Sequence, residues 1–360
     1  MYDGLLLGHP LMSKCTRFVT RHRPLSQRQW LERIQQVPEI DLDIDLYNSG
    51  ASIEILERRM AELLGKEKAL FVPKGSIGQY SALLQWAQNH GSRKLALHPQ
   101  SHFQCDESMA YETLLGFEGV MFGKPGKAID SEDIRNLPED VFAATVELPL
   151  RRAGFKLPEW PDLVALKQRA NDSGIALHID GARLFESADY WGKSYQDVSA
   201  LGDSVYVSLY KTLGAAAGGI IAGDKVFVEQ LMTWRSRLGG DLFTAFPYVL
   251  SALWGLEHYL PRVSEFNQRA QSLSKLIVDA FGESAIPEPV QSNGFLVQLP
   301  VSASVLKDRA LQVAESDRVW LFDRVFEANE NNSRFEIQIG DAMDDWSDQE
   351  FVETLQALIR

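Results

Sequence analysis

Short runs of apolar residues alternate with helical patterns between about residue 50 and residue 225 of this chain. Such runs are typical of strands that are buried on both faces of a parallel sheet. The predicted strands are Ala69–Val72, Lys94–Leu97, Gly119–Phe122, Ala143–Leu148, Ala176–Ile179, Ser204–Leu209 and Gly218–Ala222. The predicted helices between them are Ser52–Leu64, with Ser52 as N-cap, Gly78–Gln88, Glu107–Leu115 and Pro158–Asn171. This alternation predicts a doubly wound α/β fold.

The C-terminal part of the chain has a different pattern. A mostly helical stretch from Lys225 to Phe281 is followed by short strands and helices. They are predicted at Phe295–Leu299 (strand), Val305–Glu315 (helix), Val319–Phe322 and Phe335–Ile339 (strands) and Asp348–Ile359 (helix). This mixture predicts an α+β domain of roughly 100 residues. We therefore predict an N-terminal arm over residues 1–45, a large domain over 46–260 and a small domain over 261–360. For the arm, packing on a neighbouring subunit is one expectation.

The composition narrows the classes of function. The 360 residues carry 36 basic and 49 acidic side chains, a net charge of −13. Such an excess of acid argues against binding to nucleic acid or to an anionic membrane. Cys15 and Cys105 are too few for a disulfide framework. The sequence has no apolar window of about twenty residues and no signal-peptide pattern, so we expect a cytoplasmic protein without a transmembrane helix.

Two charged residues stand at the ends of predicted strands. Asp180 lies in His178–Leu184 (HIDGARL), and Lys211 lies in Ser204–Gly223. An acid and a lysine so placed suit the two ends of pyridoxal 5'-phosphate. Its aldehyde forms a Schiff base with a lysine, and a carboxylate keeps its ring nitrogen protonated. The alternatives are a surface lysine at a strand end and an ion pair of Asp180 with Arg183 inside a turn.

Small and polar residues near these strand ends are further candidates for holding such a cofactor. Gly75, Ser76 and Ile77 lie between a predicted strand and a helix, where backbone N–H groups and a hydroxyl can bind phosphate. Ser208 could add a second hydroxyl, and Ala182 is small enough for a flat ring to lie on it. The alternatives are an ordinary N-capped helix and an ordinary serine at a strand end. The glycine pattern matches neither the dinucleotide-binding fingerprint nor a P-loop.

Two more side chains could act on a substrate. The His102 imidazole could stack on a pyridine ring or carry a proton. Arg183 presents a fork that matches a carboxylate. A single histidine in a loop is also often only solvated. The seven histidines and two cysteines show no metal-ligand spacing, so we predict no metal site.

Taken together, these segments resemble the low-specificity threonine aldolases, which belong with the β-eliminating lyases to the fold-type-I pyridoxal-phosphate enzymes. The resemblance extends from about residue 45 to residue 350. The segments that carry it are Leu46-Tyr47, Leu56-Glu57, Glu62–Gly65, Phe71–Ser76, His102 with Glu107, His178–Leu184, Leu209–Gly214 and Trp234–Gly240.

The resemblance implies a fold, an assembly and a set of site residues. The fold is a large domain with a mainly parallel seven-stranded sheet plus a smaller α+β domain, and the assembly is a homodimer or homotetramer. The implied cofactor-binding residues are Lys211 (Schiff base), Asp180 (ring nitrogen), His102 (ring face) and Gly75, Ser76 and Ile77 (phosphate). The implied ligands of the substrate carboxylate are Arg183 and Arg334.

Several segments depart from the family's pattern. These aldolases usually have Glu-Asn-Thr-His, with the histidine near the substrate hydroxyl, whereas here Glu147 is followed by Leu-Pro-Leu and then by Arg151 and Arg152. Asp241–Thr244 replaces the usual Gly-Met-Arg-Gln. The two arginines lead to the hypothesis that the substrate carries a second acidic group. Arginines that are solvated, or that bind a neighbouring chain, explain the same residues equally well.

The resemblance predicts a pyridoxal-phosphate-dependent lyase that cleaves a β-hydroxy-α-amino acid to glycine and an aldehyde. Lys211, His102 and Asp180 are the predicted catalytic residues, and His102, or a water that it holds, is the predicted base. The same cofactor supports β-elimination, racemization and decarboxylation, which remain open alternatives. A catalytically silent relative that only binds cofactor or partner proteins is another. An unrelated nucleotide-binding α/β protein is disfavoured because its glycine fingerprint is absent.

Overall fold

The computed structural model describes residues 5–360. They form two compact units, one of Ser26–Pro261 and one that joins the residues before 26 to Arg262–Arg360. Residues 1–4 of the predicted N-terminal arm lie outside the described part of the chain. The rest of that arm is divided between the two units at residue 25. Its packing on a neighbouring subunit stays a prediction.

The secondary structure of residues 5–360 comprises strands, α-helices and short 3₁₀ segments. The strands are β1 Arg17–Phe18, β2 Lys68–Val72, β3 Lys94–Leu97, β4 Glu118–Met121, β5 Ala143–Glu147, β6 Ala176–Asp180, β7 Ser204–Ser208, β8 Gly219–Gly223, β9 Gly294–Leu299, β10 Val319–Trp320, β11 Val325–Asn329 and β12 Asn332–Gln338. The α-helices are α1 Gln27–Ile34, α2 Ala51–Leu64, α3 Gly75–His90, α4 His102–Cys105, α5 Ala110–Thr113, α6 Ser131–Arg135, α7 Trp160–Asp172, α8 Leu184–Trp191, α9 Tyr195–Ala200, α10 Lys225–Arg237, α11 Phe246–His258, α12 Val263–Phe281, α13 Ala303–Ser316 and α14 Asp348–Ile359. The 3₁₀ segments are Pro10–Lys14, Pro38–Asp41, Arg151–Ala153, Leu260–Arg262, Glu283–Ala285 and Asp341–Asp345.

The larger unit is built on one sheet of seven strands in the order β2-β8-β7-β6-β5-β3-β4. Strands β3 to β7 pair in parallel, and β8 runs antiparallel to both β2 and β7. Every residue of β6, β7 and β8 is buried, which explains the uninterrupted apolar runs in the sequence. The prediction of a mainly parallel seven-stranded sheet is confirmed, and the bounds predicted for the seven strands of this sheet lie within one residue of the observed ones.

Strand direction determines which side chains meet at one edge of this sheet. Because β8 reverses direction between β2 and β7, β2 points the same way as β5, β6 and β7. The carboxyl ends of all four strands therefore lie at the same edge. Glu147 at the end of β5 pairs in register with Asp180 at the end of β6, and Asp180 pairs with Tyr206 of β7. This edge is where ligands bind in open α/β sheets.

The prediction of Ser52 as a helix N-cap is wrong. Helix α2 begins one residue earlier, at Ala51, and Gly50 occupies the N-cap position. Ser52 is buried within the first turn. Ser52 lies two residues after the Gly50 cap, so this serine does not mark the start of the helix.

Two other helices of the larger unit differ in length from their predictions. Helix α3 begins at Gly75 rather than at Gly78, so the candidate phosphate residues form its first turn. The predicted helix Glu107–Leu115 is reduced to the single turn α5. Ser108 and Met109 have φ angles of 53° and 58°, and this left-handed conformation interrupts a right-handed helix.

The smaller unit has its own sheet and core. Its strands β11, β12 and β9 form an antiparallel sheet in that order, and β1 pairs in parallel with β10. Helices α12, α13 and α14 contribute to a continuous apolar core with the sheet. The predicted α+β character is confirmed, although β11 was not predicted. Across residues 5–360, none of the helices combines the length and apolar character that spanning a bilayer requires.

Candidate active site

A cavity at the carboxyl edge of the larger sheet gathers most of the predicted site residues. It is lined by the start of α3, the first residue of α4, and the ends of β5 and β6 with the segment after β7. Six predicted residues contribute to its wall: Gly75, Ser76, His102, Asp180, Ala182 and Lys211. The structure thus brings these six residues together around one cavity, and their roles in binding a ligand stay predictions.

Lys211 lies three residues after the end of β7 and lines the cavity. Burial, and next the positive charge of Arg183, lower the pKa of this amine to about 8. The negative charges of Asp180 and Glu147 oppose that shift. A lysine with this lowered pKa has a larger fraction of unprotonated amine at neutral pH than an ordinary lysine, and the unprotonated amine is the nucleophilic form.

Asp180 lies deep in the same cavity, with a side chain that is 2% exposed. Its Oδ2 accepts a hydrogen bond from Gln79 Nε2 at 3.0 Å. Its Oδ1 accepts one from the backbone N–H of Ala182 at 3.2 Å. Two donors therefore hold this carboxylate in one orientation, and it can still accept a proton or hydrogen bond from a ligand.

The start of helix α3 supplies a place for an anion. The helix has 16 residues, and no side chain caps its N-terminus at Lys74. Lys74, Gly75 and Ser76 line the cavity, so backbone N–H groups and the positive end of the helix dipole are directed there. A β-carbon on Gly75 would lie 2.2 Å from the Tyr206 hydroxyl oxygen, so only glycine fits at this position.

His102 begins α4 and is fixed by two carboxylates. Its backbone N–H donates to Glu147 Oε2 at 2.7 Å, and its Nδ1 is 2.9 Å from Glu107 Oε1. Burial alone would lower the pKa of the imidazole, but the hydrogen bond to Glu107 and the charges of Asp180 and Glu107 raise it overall. The Glu107 contact also fixes the orientation of the ring at the cavity wall.

Glu147 is a cavity residue that the site prediction did not include. Burial, and next the charge of Asp180, raise its pKa to about 7, while His102 and Lys211 act in the opposite direction. Its Oε1 also accepts a hydrogen bond from the backbone N–H of Arg151 at 3.3 Å. The available signal was the same one that identified Asp180, an acid at the end of a buried strand.

Four predicted residues are not part of the cavity wall. Ile77 donates its backbone N–H to Lys74 within the first turn of α3. Ser208 is buried and has no well-formed hydrogen bond, although it is close enough to Tyr206 to influence the pKa of that phenol. Arg183 is 9% exposed, with its guanidinium 5.7 Å from the Phe155 ring centroid.

The fourth, Arg334, belongs to β12 of the smaller unit, where its Nε donates to Gln298 Oε1 at 2.8 Å. The ligand-binding roles of Ile77, Ser208, Arg183 and Arg334 stay predictions.

Arg151 and Arg152 lie in a 3₁₀ turn that begins four residues after the end of β5. The Arg152 guanidinium forms a two-point ion pair with Asp106, whose carboxylate lines the cavity. The charge of Arg152 is therefore already matched by a carboxylate of this chain. This pairing lowers the pKa of Asp106 against the opposing effect of burial.

These side chains fit one kind of ligand. An amine of lowered pKa, a buried carboxylate and a helix N-terminus without a side-chain cap line the same cavity. They match an aldehyde, a protonated ring nitrogen and a phosphate, the three polar ends of pyridoxal phosphate. Among the side chains of residues 5–360, histidine, cysteine and carboxylate groups form no cluster suited to a metal ion.

A family model and a solved structure both match most of this chain. Residues 33–301 match the family model described as beta-eliminating lyase. The solved structure of a candidate L-allo-threonine aldolase from Listeria monocytogenes is 31% identical, with a TM-score of 0.89 and coverage of 97% of this chain and 98% of that chain. This likeness confirms the predicted fold class.

Curated relatives are more distant in sequence. Low-specificity L-threonine aldolase 1 of Arabidopsis thaliana is 25% identical over 309 residues, which cover 83% of this chain and 84% of the relative. An uncharacterized protein of Caenorhabditis elegans is 26% identical over 272 residues, which cover 73% of this chain and 64% of that relative's own length.

Proposed function

Because the chain belongs to the beta-eliminating lyase family, we propose that it is a pyridoxal-phosphate-dependent lyase that cleaves a β-hydroxy-α-amino acid to glycine and an aldehyde. One observation carries this proposal: Lys211, with its pKa lowered to about 8, and the buried Asp180 line one cavity. The threonine aldolases among its relatives favour aldol cleavage over the other reactions of this cofactor.

Different residues are proposed to hold the aldehyde, the ring and the phosphate of the cofactor. The Lys211 amine would hold the aldehyde end of the cofactor, and Asp180 would accept the hydrogen bond of the protonated ring nitrogen. The start of α3, at Gly75 and Ser76, would bind the phosphate, and Ala182 and His102 would contact the ring. When bound, the cofactor supplies a cationic ring that stabilises negative charge at the α-carbon of the substrate.

Glu147 is the side chain that we propose to accept the proton of the substrate hydroxyl. Its pKa of about 7 lets it take up and release a proton near neutral pH. Backbone N–H groups of His102 and Arg151 fix the carboxylate at the cavity wall. As the hydroxyl proton moves to Glu147, the Cα–Cβ bond breaks, the aldehyde leaves, and the bonding electrons stay with the α-carbon. A proton from solvent then completes glycine, and Glu147 releases the proton it accepted to solvent.

His102 is the alternative base. Its Nδ1 is held by Glu107, and its raised pKa favours the protonated imidazole more than an ordinary histidine does. We therefore assign it the face of the ring rather than the proton transfer. Arg183, whose positive charge reaches Lys211, is proposed as a ligand of the substrate α-carboxylate, with Arg334 as a second one. We further propose a cytoplasmic homodimer or homotetramer.

The function is tested by supplying the purified protein with pyridoxal phosphate and a panel of amino acids. The panel contains threonine, allo-threonine, phenylserine and β-hydroxyaspartate, with aldehyde and glycine both quantified. We expect equal amounts of the two products from wild type and none from Lys211→Ala. Lys66→Ala, which removes a lysine outside the cavity, is the control and should keep activity.

Other outcomes of the panel identify the alternatives. Release of ammonia with a keto acid indicates β-elimination, loss of optical activity without a carbonyl product indicates racemization, and carbon dioxide indicates decarboxylation. Visible absorbance of bound cofactor with no product from any substrate indicates a silent relative. Each of these results would contradict aldol cleavage as the main reaction.

A further inference from the structure

Five side chains of the larger unit form one continuous chain of hydrogen bonds that ends on Asp180. Trp86 Nε1 donates to Ser204 Oγ at 2.9 Å, and Ser204 Oγ is 2.8 Å from His178 Nδ1. His178 Nε2 is 3.0 Å from Gln79 Oε1, and Gln79 Nε2 donates to Asp180 Oδ2 at 3.0 Å. Gln79, His178, Ser204 and Asp180 are all buried.

The two ends of this chain fix the direction of every hydrogen bond in it. An indole N–H can only donate, and an ionised carboxylate can only accept. Asp180 accepts a hydrogen bond from the amide N–H of Gln79, so the amide oxygen of Gln79 faces His178. His178 must therefore carry its proton on Nε2 in order to donate to that oxygen. The unprotonated Nδ1 then accepts from the Ser204 hydroxyl, which in turn accepts from Trp86. Reversing any one bond would place two acceptors or two donors against each other.

The imidazole in this chain is neutral. Burial lowers the pKa of His178 to about 4, although the charge of Asp180 acts in the opposite direction. At neutral pH it therefore holds a single proton, as the directional pattern requires. The amide of Gln79 separates this imidazole from the carboxylate, and an amide neither gives up nor takes up a proton in this pH range.

We propose that Gln79, His178 and Ser204 are positioning residues that hold the Asp180 carboxylate in one rotamer, so that its free acceptor site faces the ligand in the cavity. This role rests on the proposed function, in which that ligand is the protonated ring nitrogen. Gln79 lies one turn after Gly75 and Ser76 on α3. The same helix thereby fixes the site of the phosphate and the site of the ring nitrogen, which sets the distance between them.

The first test needs neither cofactor nor substrate. Nitrogen NMR of the cofactor-free wild type should show His178 with its proton on Nε2, and no second proton until the pH approaches about 4. In Ser204→Ala the fixed preference for that tautomer should weaken, because the donor to Nδ1 is gone. A proton on Nδ1, or a charged imidazole at neutral pH, would overturn the proposal.

The second test compares two buried glutamines of the same helix. Gln79→Met removes the amide that contacts Asp180 while keeping the side-chain volume. Gln85→Met is the matched control, because Gln85 is also buried and its amide binds Trp234 and Asn89 instead. We expect Gln79→Met to weaken binding of pyridoxal phosphate by roughly tenfold to a hundredfold and to shift the pH dependence of the bound cofactor's spectrum. Gln85→Met should change neither.

The outcomes separate this proposal from the proposed function. Equal cofactor affinity in Gln79→Met and Gln85→Met would overturn the positioning role. If wild type binds the cofactor and shows the expected tautomer but cleaves no substrate, the positioning role stands and aldol cleavage fails. If the Gln79→Met protein does not fold, the tautomer of wild type still decides the direction of the chain.

Discussion

Glu147 and Asp180 occupy paired positions at the carboxyl ends of two neighbouring parallel strands, β5 and β6. Both carboxyl groups line the cavity that contains Lys211. Burial and the charge of Asp180 raise the pKa of Glu147 to about 7, whereas Asp180 is held by two hydrogen-bond donors. Two carboxyl groups with such different surroundings can divide the chemistry, one carrying a proton and the other maintaining a charge.

Replacement of Glu147 tests its role in proton transfer. We expect Glu147→Gln to lower kcat by about a hundredfold to a thousandfold while the protein still binds the cofactor. A base must be deprotonated, so wild-type activity should fall as the pH decreases through about 7. That limb of the pH–rate profile should disappear in the variant. Glu112→Gln, at an exposed position on α5, is the control. An unchanged kcat with an unchanged acid limb would assign the proton to another group.

The contact between His102 and Glu107 predicts a specific titration behaviour. Because hydrogen bonding to Glu107 raises the pKa of His102, Glu107→Gln should lower it, as measured by NMR titration of the cofactor-free protein. The interaction stabilises the protonated form, so its contribution to folding is complete below the ordinary histidine pKa of 6.5 and is lost as the pH rises through the raised value. The loss of stability in Glu107→Gln should therefore be larger in acid than in alkaline solution. A destabilisation independent of pH would contradict this.

The ion pair between Arg152 and Asp106 bears on the choice of substrate. Because Asp106 already neutralises Arg152, a substrate with a second carboxylate would have to compete with it. We expect Asp106→Asn to raise kcat/KM for β-hydroxyaspartate relative to threonine, and Arg152→Ala to remove that gain. The ratio of the two specificity constants is the measurement. No change of the ratio in Asp106→Asn would show that Arg152 lies out of reach of the substrate.

The sequence identified those features that depend on residues close together in the chain. Buried strands appeared as apolar runs, and Asp180 and Lys211 were recognised because each follows such a run directly. The hydrogen bond between Gln79 and His178 joins residues 99 positions apart. The helical pattern around Gln79 therefore gives no indication of this contact. The position of Glu147 at the end of a strand can be predicted from the sequence, but its pKa depends on neighbours from three other segments of the chain.

Asp45 illustrates a structural role that no local pattern indicated. Its fully buried carboxylate accepts hydrogen bonds from Thr244 Oγ1 and from the backbone N–H groups of Ala245 and Phe246, at the start of α11. Removing it would leave these donors unpaired, so we expect Asp45→Ala to lower the free energy of unfolding by about 3 kcal/mol. Asp43→Ala, at an exposed position nearby, should change it little. Urea denaturation of both variants provides the comparison.

The most direct test concerns the covalent attachment of the cofactor. The protein is loaded with pyridoxal phosphate, reduced with borohydride, digested and mapped by mass spectrometry, in parallel with Lys211→Ala. We predict that the phosphopyridoxyl group is found on Lys211 in wild type and on no lysine in the variant. Attachment to Lys74, which also lines the cavity, or wild type that retains no cofactor at all, would contradict the assignment of Lys211 and Asp180 to the two ends of this cofactor.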